Sequence, residues 1–110
     1  MSINHETVFD DEEIRDVNTH ISTKVFNGNA VIKSLIIEND HNQIATFQCK
    51  GSAHADYSHP FQIGDAFDIS ASTDILCTCD NYIPYWWIEV TYDTAPTTGD
   101  LSVHILGVEG

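Results

Sequence analysis

Basic residues are nearly missing from this chain. Its 110 residues carry four Lys and Arg against seventeen Asp and Glu, a formal net charge of −13. Charged residues make up only 19% of the total, below the ~25% of an average soluble domain. The imbalance therefore reflects absent cations more than added acids. Arg15, Lys24, Lys33 and Lys50 are the four bases. A surface of this sign repels phosphate, which disfavours nucleic acid and anionic membranes as partners. Three readings of the charge stay open: a surface that resists self-association, a halophilic surface hydrated in high salt, or an acidic inhibitor that mimics DNA. Mimics carry acids in dense rows, and here the acids are scattered outside residues 10–16.

Other absences narrow the field. No apolar run approaches the ~18 residues of a membrane span. Residues 1–16 hold neither a basic n-region nor an apolar h-region, so no secretory signal is expected and synthesis in a cytoplasm is. No stretch of ten residues shows a helical period, and no repeat or low-complexity tract occurs. Gly-x-Ser-x-Gly, a phosphate-cradling Gly loop and His-Glu-x-x-His are all missing. No carboxylate pair stands out for glycoside chemistry. The chain is therefore expected not to be an enzyme. The three cysteines form an odd set. Cys77 and Cys79 share one face of a strand, about 6–7 Å apart, too far for a relaxed disulfide. A bridge from Cys49 to either remains open, while buried thiols suit a cytoplasmic origin.

What the sequence does have is period-two alternation. Trp86, Ile88, Val90 and Tyr92 alternate with Tyr85, Trp87, Glu89 and Thr91. After a Pro/Gly/Thr turn, Leu101, Val103 and Ile105 alternate with Ser102, His104 and Leu106. Each set belongs to one face of a sheet, and the pair reads as a hairpin over residues 83–107. Earlier, residues 30–38 and 43–50 read as a second hairpin around Asn39-Asp40-His41-Asn42. Asn27-Gly28-Asn29 and Asp80-Asn81-Tyr82 are further turns. Residues 61–63 and 67–69 read as short strands around Gly64, and residues 74–79 as another. Seven to eight strands at roughly ten-residue spacing predict an all-β fold, an antiparallel, jelly-roll-like β-sandwich over residues 19–110. Residues 1–18 are expected to form an acidic N-terminal arm or a short helix, because Asp10 followed by Glu13 resembles a capping box.

Few residues invite chemistry. His54, Asp56 and His59 lie close enough in sequence to share a metal, but a strong third or fourth ligand is not evident, and a polar loop explains them as well. Cys77-Thr-Cys79-Asp80 is half of a thiolate site without its second half. Asp10, Asp11, Glu12 and Glu13 lack the Gly and the alternation of a calcium loop. No cofactor or metal is expected. The better candidates are Tyr82, Tyr85 and Trp87. Trp87 opposes Trp86 in the alternation, so one of the two lies outside the main core. That second aromatic face suits a subunit interface, a further apolar layer within the domain, or a sugar-stacking platform.

From about Thr19 to Gly107 the chain resembles β-sandwich modules of tailed-virus virions, found in head decoration or turret proteins and in tail and fibre proteins. The resemblance is carried by Lys33-Ser-Leu-Ile-Ile-Glu38 preceding Ala45-Thr-Phe-Gln-Cys-Lys-Gly-Ser52, then a loop and a short apolar strand. It ends with Tyr85-Trp-Trp-Ile-Glu-Val-Thr-Tyr92, the turn Thr94-Ala-Pro-Thr-Thr-Gly99, and Leu101-Ser-Val-His-Ile-Leu-Gly107. No catalytic or ligand residue belongs to this pattern. It implies a non-enzymatic structural protein located in the virion. Such a protein would form a homo-oligomer (trimer, pentamer or hexamer) and contact other virion proteins. The alternatives are a carbohydrate- or receptor-binding β-sandwich module and the acidic inhibitor.

Overall fold

A computed structural model describes residues 3–26, 30–79 and 84–109. Among the described residues there are nine strands and no helix: β1 Ile3–Glu12, β2 His20–Ile21, β3 Val25–Phe26, β4 Ala30–Asn39, β5 Ala45–Ser52, β6 Phe61–Ile69, β7 Thr73–Cys79, β8 Tyr85–Tyr92 and β9 Leu101–Glu109. They form two antiparallel sheets. The first has the order β1-β9-β4-β7; the second has β2-β8-β5-β6, with β3 also on β8. β2 and β3 together fill one strand position, so the molecule is the expected sandwich with the strand order of an eight-position jelly roll. The turns Asn27-Gly28-Asn29 and Asp80-Asn81-Tyr82, and with them Tyr82, lie outside the described residues.

The alternation resolves as expected at the level of faces. Trp86, Ile88, Val90 and Tyr92 are fully buried on β8, and Leu101, Val103 and Ile105 on β9. Leu35 and Ile37 from β4, Ala45, Phe47 and Cys49 from β5, and Val8 and Phe9 from β1 join them in the layer between the sheets, with Ile14, Val25 and Ile69. Each buried Val, Leu, Ile or Phe of this layer stabilises the fold by about 1.5–3 kcal/mol through removal from water.

Both expected hairpins are corrected. β8 pairs with β2, β3 and β5, whereas β9 pairs with β1 and β4. β4 pairs with β7 and β9, and β5 with β6 and β8. In both cases the connection crosses from one sheet to the other. Two strands facing each other across a core show the same alternation as two strands side by side, so periodicity does not separate the cases. Residues 61–69, expected as two pieces, form one strand with Gly64 at φ 70 beside a register shift between Phe47 and Cys49.

The helix expected after Asp10 does not form. That stretch has acids but no apolar stripe at helical spacing, whereas Val8 and Phe9 both reach the core. β1 instead pairs along β9, with register shifts after Thr7 and after Phe9 that turn two successive residues inward. Asp11 sits at φ 48, where its carboxylate accepts from Ser102 Oγ at 3.1 Å while Ser102 Oγ accepts from the Asp11 N–H at 3.0 Å.

Candidate functional site

Three regions bear on function. The outer face of the second sheet carries Tyr85 and Trp87, paired in register with Ser52 and Lys50 of β5. Trp87 is 3% exposed, because the loop 53–60 folds over it. Ser52 Oγ ties this loop down by donating to the Ser58 carbonyl and accepting from the His54 N–H at 3.0 Å. Tyr57, at φ 61, stands edge-on to Trp87 (centroids 5.8 Å) and to Tyr85 (5.6 Å). The Lys24 ammonium lies 5.1 Å from the Trp87 ring and 5.2 Å from that of Tyr57, an attraction of about 0.5–1 kcal/mol or more. Trp87 Nε1 donates to Glu89 at 3.2 Å, and Glu89 in turn meets Lys50 at 3.5 Å. Trp87 is thus packed as a second apolar layer and offers no open ring face. Tyr85 stays half-buried, with Phe26 tilted against it at 5.0 Å and itself 56% exposed.

The His54, Asp56 and His59 loop brings the two imidazoles to 5.5 Å between centroids. Asp56 is engaged elsewhere: hydrogen bonds from Ser58, side chain first and then backbone, hold its carboxyl below the usual range. No group of three or more His, Cys, Asp or Glu suited to a metal occurs among the described residues. Cys49 is buried in the core and Cys77 packs against it.

The second region is the rim of the sandwich. Ile21, Phe26, Phe61, Ile75 and Leu76 are exposed apolar side chains, and all five lie on strands at sheet edges. β7 is the barest of these edges. It pairs only with β4 among the described strands, carries one charge (Asp74), and leaves Leu76 67% and Ile75 39% exposed.

The third region escaped sequence reasoning. On the outer face of the first sheet, His104 of β9 meets Glu38 of β4 at 2.9 Å, and Thr7 and His5 of β1 at 3.0 and 3.2 Å. His5, Glu38 and His104 border a shallow depression with Ile36 and Leu106. The four are spread from residue 5 to residue 104, so no spacing announces them; only the β1–β9–β4 register unites them.

No protein-family model matches the chain, and no curated protein matches it. Solved structures do. A protein of Bacillus endospore appendages, described as a novel family of disulfide-linked pili, superposes with a TM-score of 0.64 at 11% identity, covering 99% of this chain and 90% of that one. The infectious bursal disease virus VP2 subviral particle gives 0.59 at 10% identity over 99% of this chain. Here the chain spans only a third (33%) of the neighbour's length. A carbohydrate-binding module of Cellvibrio mixtus lichenase 5A, in complex with cellotriose, gives 0.52 at 12% identity, covering 98% of this chain and 88% of that one. At such identities the likeness is one of fold. It shows that this chain has a β-sandwich fold.

Proposed function

We propose that this chain is a non-enzymatic structural subunit of a virus particle, a head decoration, turret or tail component of tailed-virus type, that works by homo-oligomeric contact. The observation that carries this reading is the bare edge of β7. Among the described strands nothing pairs with the outer edge of β7, and a strand edge left open beside the outward Leu76 and the part-exposed Ile75 is a template for pairing with another chain. Single-chain proteins usually protect such an edge with Lys, Pro or a bulge, and β7 has none of these. Phe26 and Tyr85 at the opposite rim extend the contact surface, and the pilus and capsid neighbours supply the analogy. The anionic remainder of the surface then faces solvent.

Sedimentation velocity at high protein concentration, in low and in molar salt, tests the reading. The expected result is a discrete oligomer that L76K converts to monomer without loss of the far-ultraviolet β spectrum. A strictly monomeric wild-type chain in both salts overturns it.

A further inference from the structure

We propose that His5 and His104 form a binding site for a divalent transition-metal ion, with His5 Nε2 and His104 Nδ1 as the two protein ligands. The argument starts from the tautomer. Glu38 Oε1 lies 2.9 Å from His104 Nε2. A carboxylate can only accept there, so in the neutral imidazole, the form that binds a metal, Nε2 carries the proton and Nδ1 keeps its lone pair. That lone-pair nitrogen faces His5 Nε2 at 3.2 Å. Two nitrogens at this separation, each 2.0–2.1 Å from a shared ion, subtend about 100° at the metal, between square-planar and tetrahedral geometry. Thr7 Oγ1, 3.0 Å from the same Nδ1, lies beside that position.

The surroundings match what metal-bound imidazoles require. A ligating histidine almost always donates its other N–H to a carboxylate or carbonyl, which fixes the ring and raises its basicity. Glu38 does so for His104. The rings are held by strand pairing, since Thr7 is opposite His104 and His5 opposite Leu106. The depression is open to water, so the remaining coordination positions are filled by solvent. A net charge of −13 raises the local concentration of cations. With two imidazoles and no free carboxylate, the site selects copper(II), nickel(II) or zinc(II) over calcium or magnesium.

The test titrates the full chain with zinc chloride and, separately, copper(II) in 0.1 M NaCl, by calorimetry and by imidazole-nitrogen NMR. One equivalent binds, and the nitrogens that shift are His5 Nε2 and His104 Nδ1. H5Q and H104Q each weaken binding at least tenfold. E38Q weakens it roughly 10- to 100-fold by freeing the His104 tautomer. The double variant H54Q/H59Q binds as wild type. Binding that survives both H5Q and H104Q, coordination through His104 Nε2, or no binding at millimolar metal each overturns the proposal. The NMR readout on the wild-type chain decides the matter even where a variant does not fold.

Discussion

Replacing Tyr92 with Phe removes one oxygen from the middle of the sandwich. Tyr92 and Asn39 are both fully buried, and the Tyr92 hydroxyl donates to Asn39 Oδ1 at 2.8 Å. The Asn39 amide nitrogen faces the carbonyls of Gln43, Ile69 and Ser70 at 3.2, 3.3 and 3.0 Å. This one side chain therefore satisfies backbone groups at two loop corners and links the first sheet to β8 of the second. Tyr92→Phe leaves the amide oxygen without its donor in a site closed to water, at a cost of about 1–3 kcal/mol. Asn39→Ala also removes the two amide N–H donors shared among the three carbonyls and should cost about 3–5 kcal/mol, a large share of a domain stability of about 5–15 kcal/mol. Urea unfolding followed by Trp86 and Trp87 fluorescence measures both, at fixed chain concentration because association shifts the midpoint. The double variant should cost less than the sum of the singles, by about 1–2 kcal/mol, because the shared bond is lost only once. A Y92F variant within about 0.3 kcal/mol of wild type, or strictly additive losses, refutes the assignment of Asn39 as a structural hub.

Two further outcomes follow from neighbouring geometry. Gly99 sits at φ +83, and a Cβ there would lie 1.9 Å from the Asp40 carbonyl oxygen. Gly99→Ala should therefore destabilise by more than about 2 kcal/mol, or displace the residue 93–100 corner, read by the same urea titration. Burial pushes the Tyr92 hydroxyl well above its ordinary value. Its folded-state value being the higher one, the stability it contributes is complete below the unfolded value of about 10 and is lost as pH rises beyond it. Wild type should then lose about 1.4 kcal/mol per pH unit above 10 relative to Y92F, narrowing the gap between them; a gap unchanged to pH 11 counts against the assignment.

The faces of this fold were legible and the partners of its strands were not. Alternation assigned Trp86, Ile88, Val90 and Tyr92 to the core correctly, because burial on one side is a local property of a strand. Whether β8 pairs with β9 or faces it depends on the eight residues between them. There Arg15, from elsewhere in the chain, donates to the Gly99 carbonyl at 3.0 Å. Residues 39–42 carry turn-forming composition, yet Asn39 and His41 are wholly buried. His41 donates to the Thr98 carbonyl at 3.1 Å and accepts from the Ile14 N–H at 3.4 Å. A polar residue that serves the surface and one that satisfies buried carbonyls look alike in one sequence. Trp87 was correctly placed on the second face, but its cover came from Tyr57, Lys24 and the loop anchored by Ser52. The His5–His104–Glu38 cluster needed three strands to be aligned before it existed at all.

The position of β9 has a consequence for how the molecule is made. β9, the last of the described strands in chain order, lies between β1, the first of them, and β4. Until β9 emerges from the ribosome, β1 has no partner among the described strands and β4 has only β7, so the first sheet closes only once β9 has been made. Nascent chains on one polysome would meanwhile present matching open edges to each other, the situation in which β-rich proteins exchange strands. A chain truncated before Leu101 should therefore be recovered as aggregate and not as a smaller sandwich.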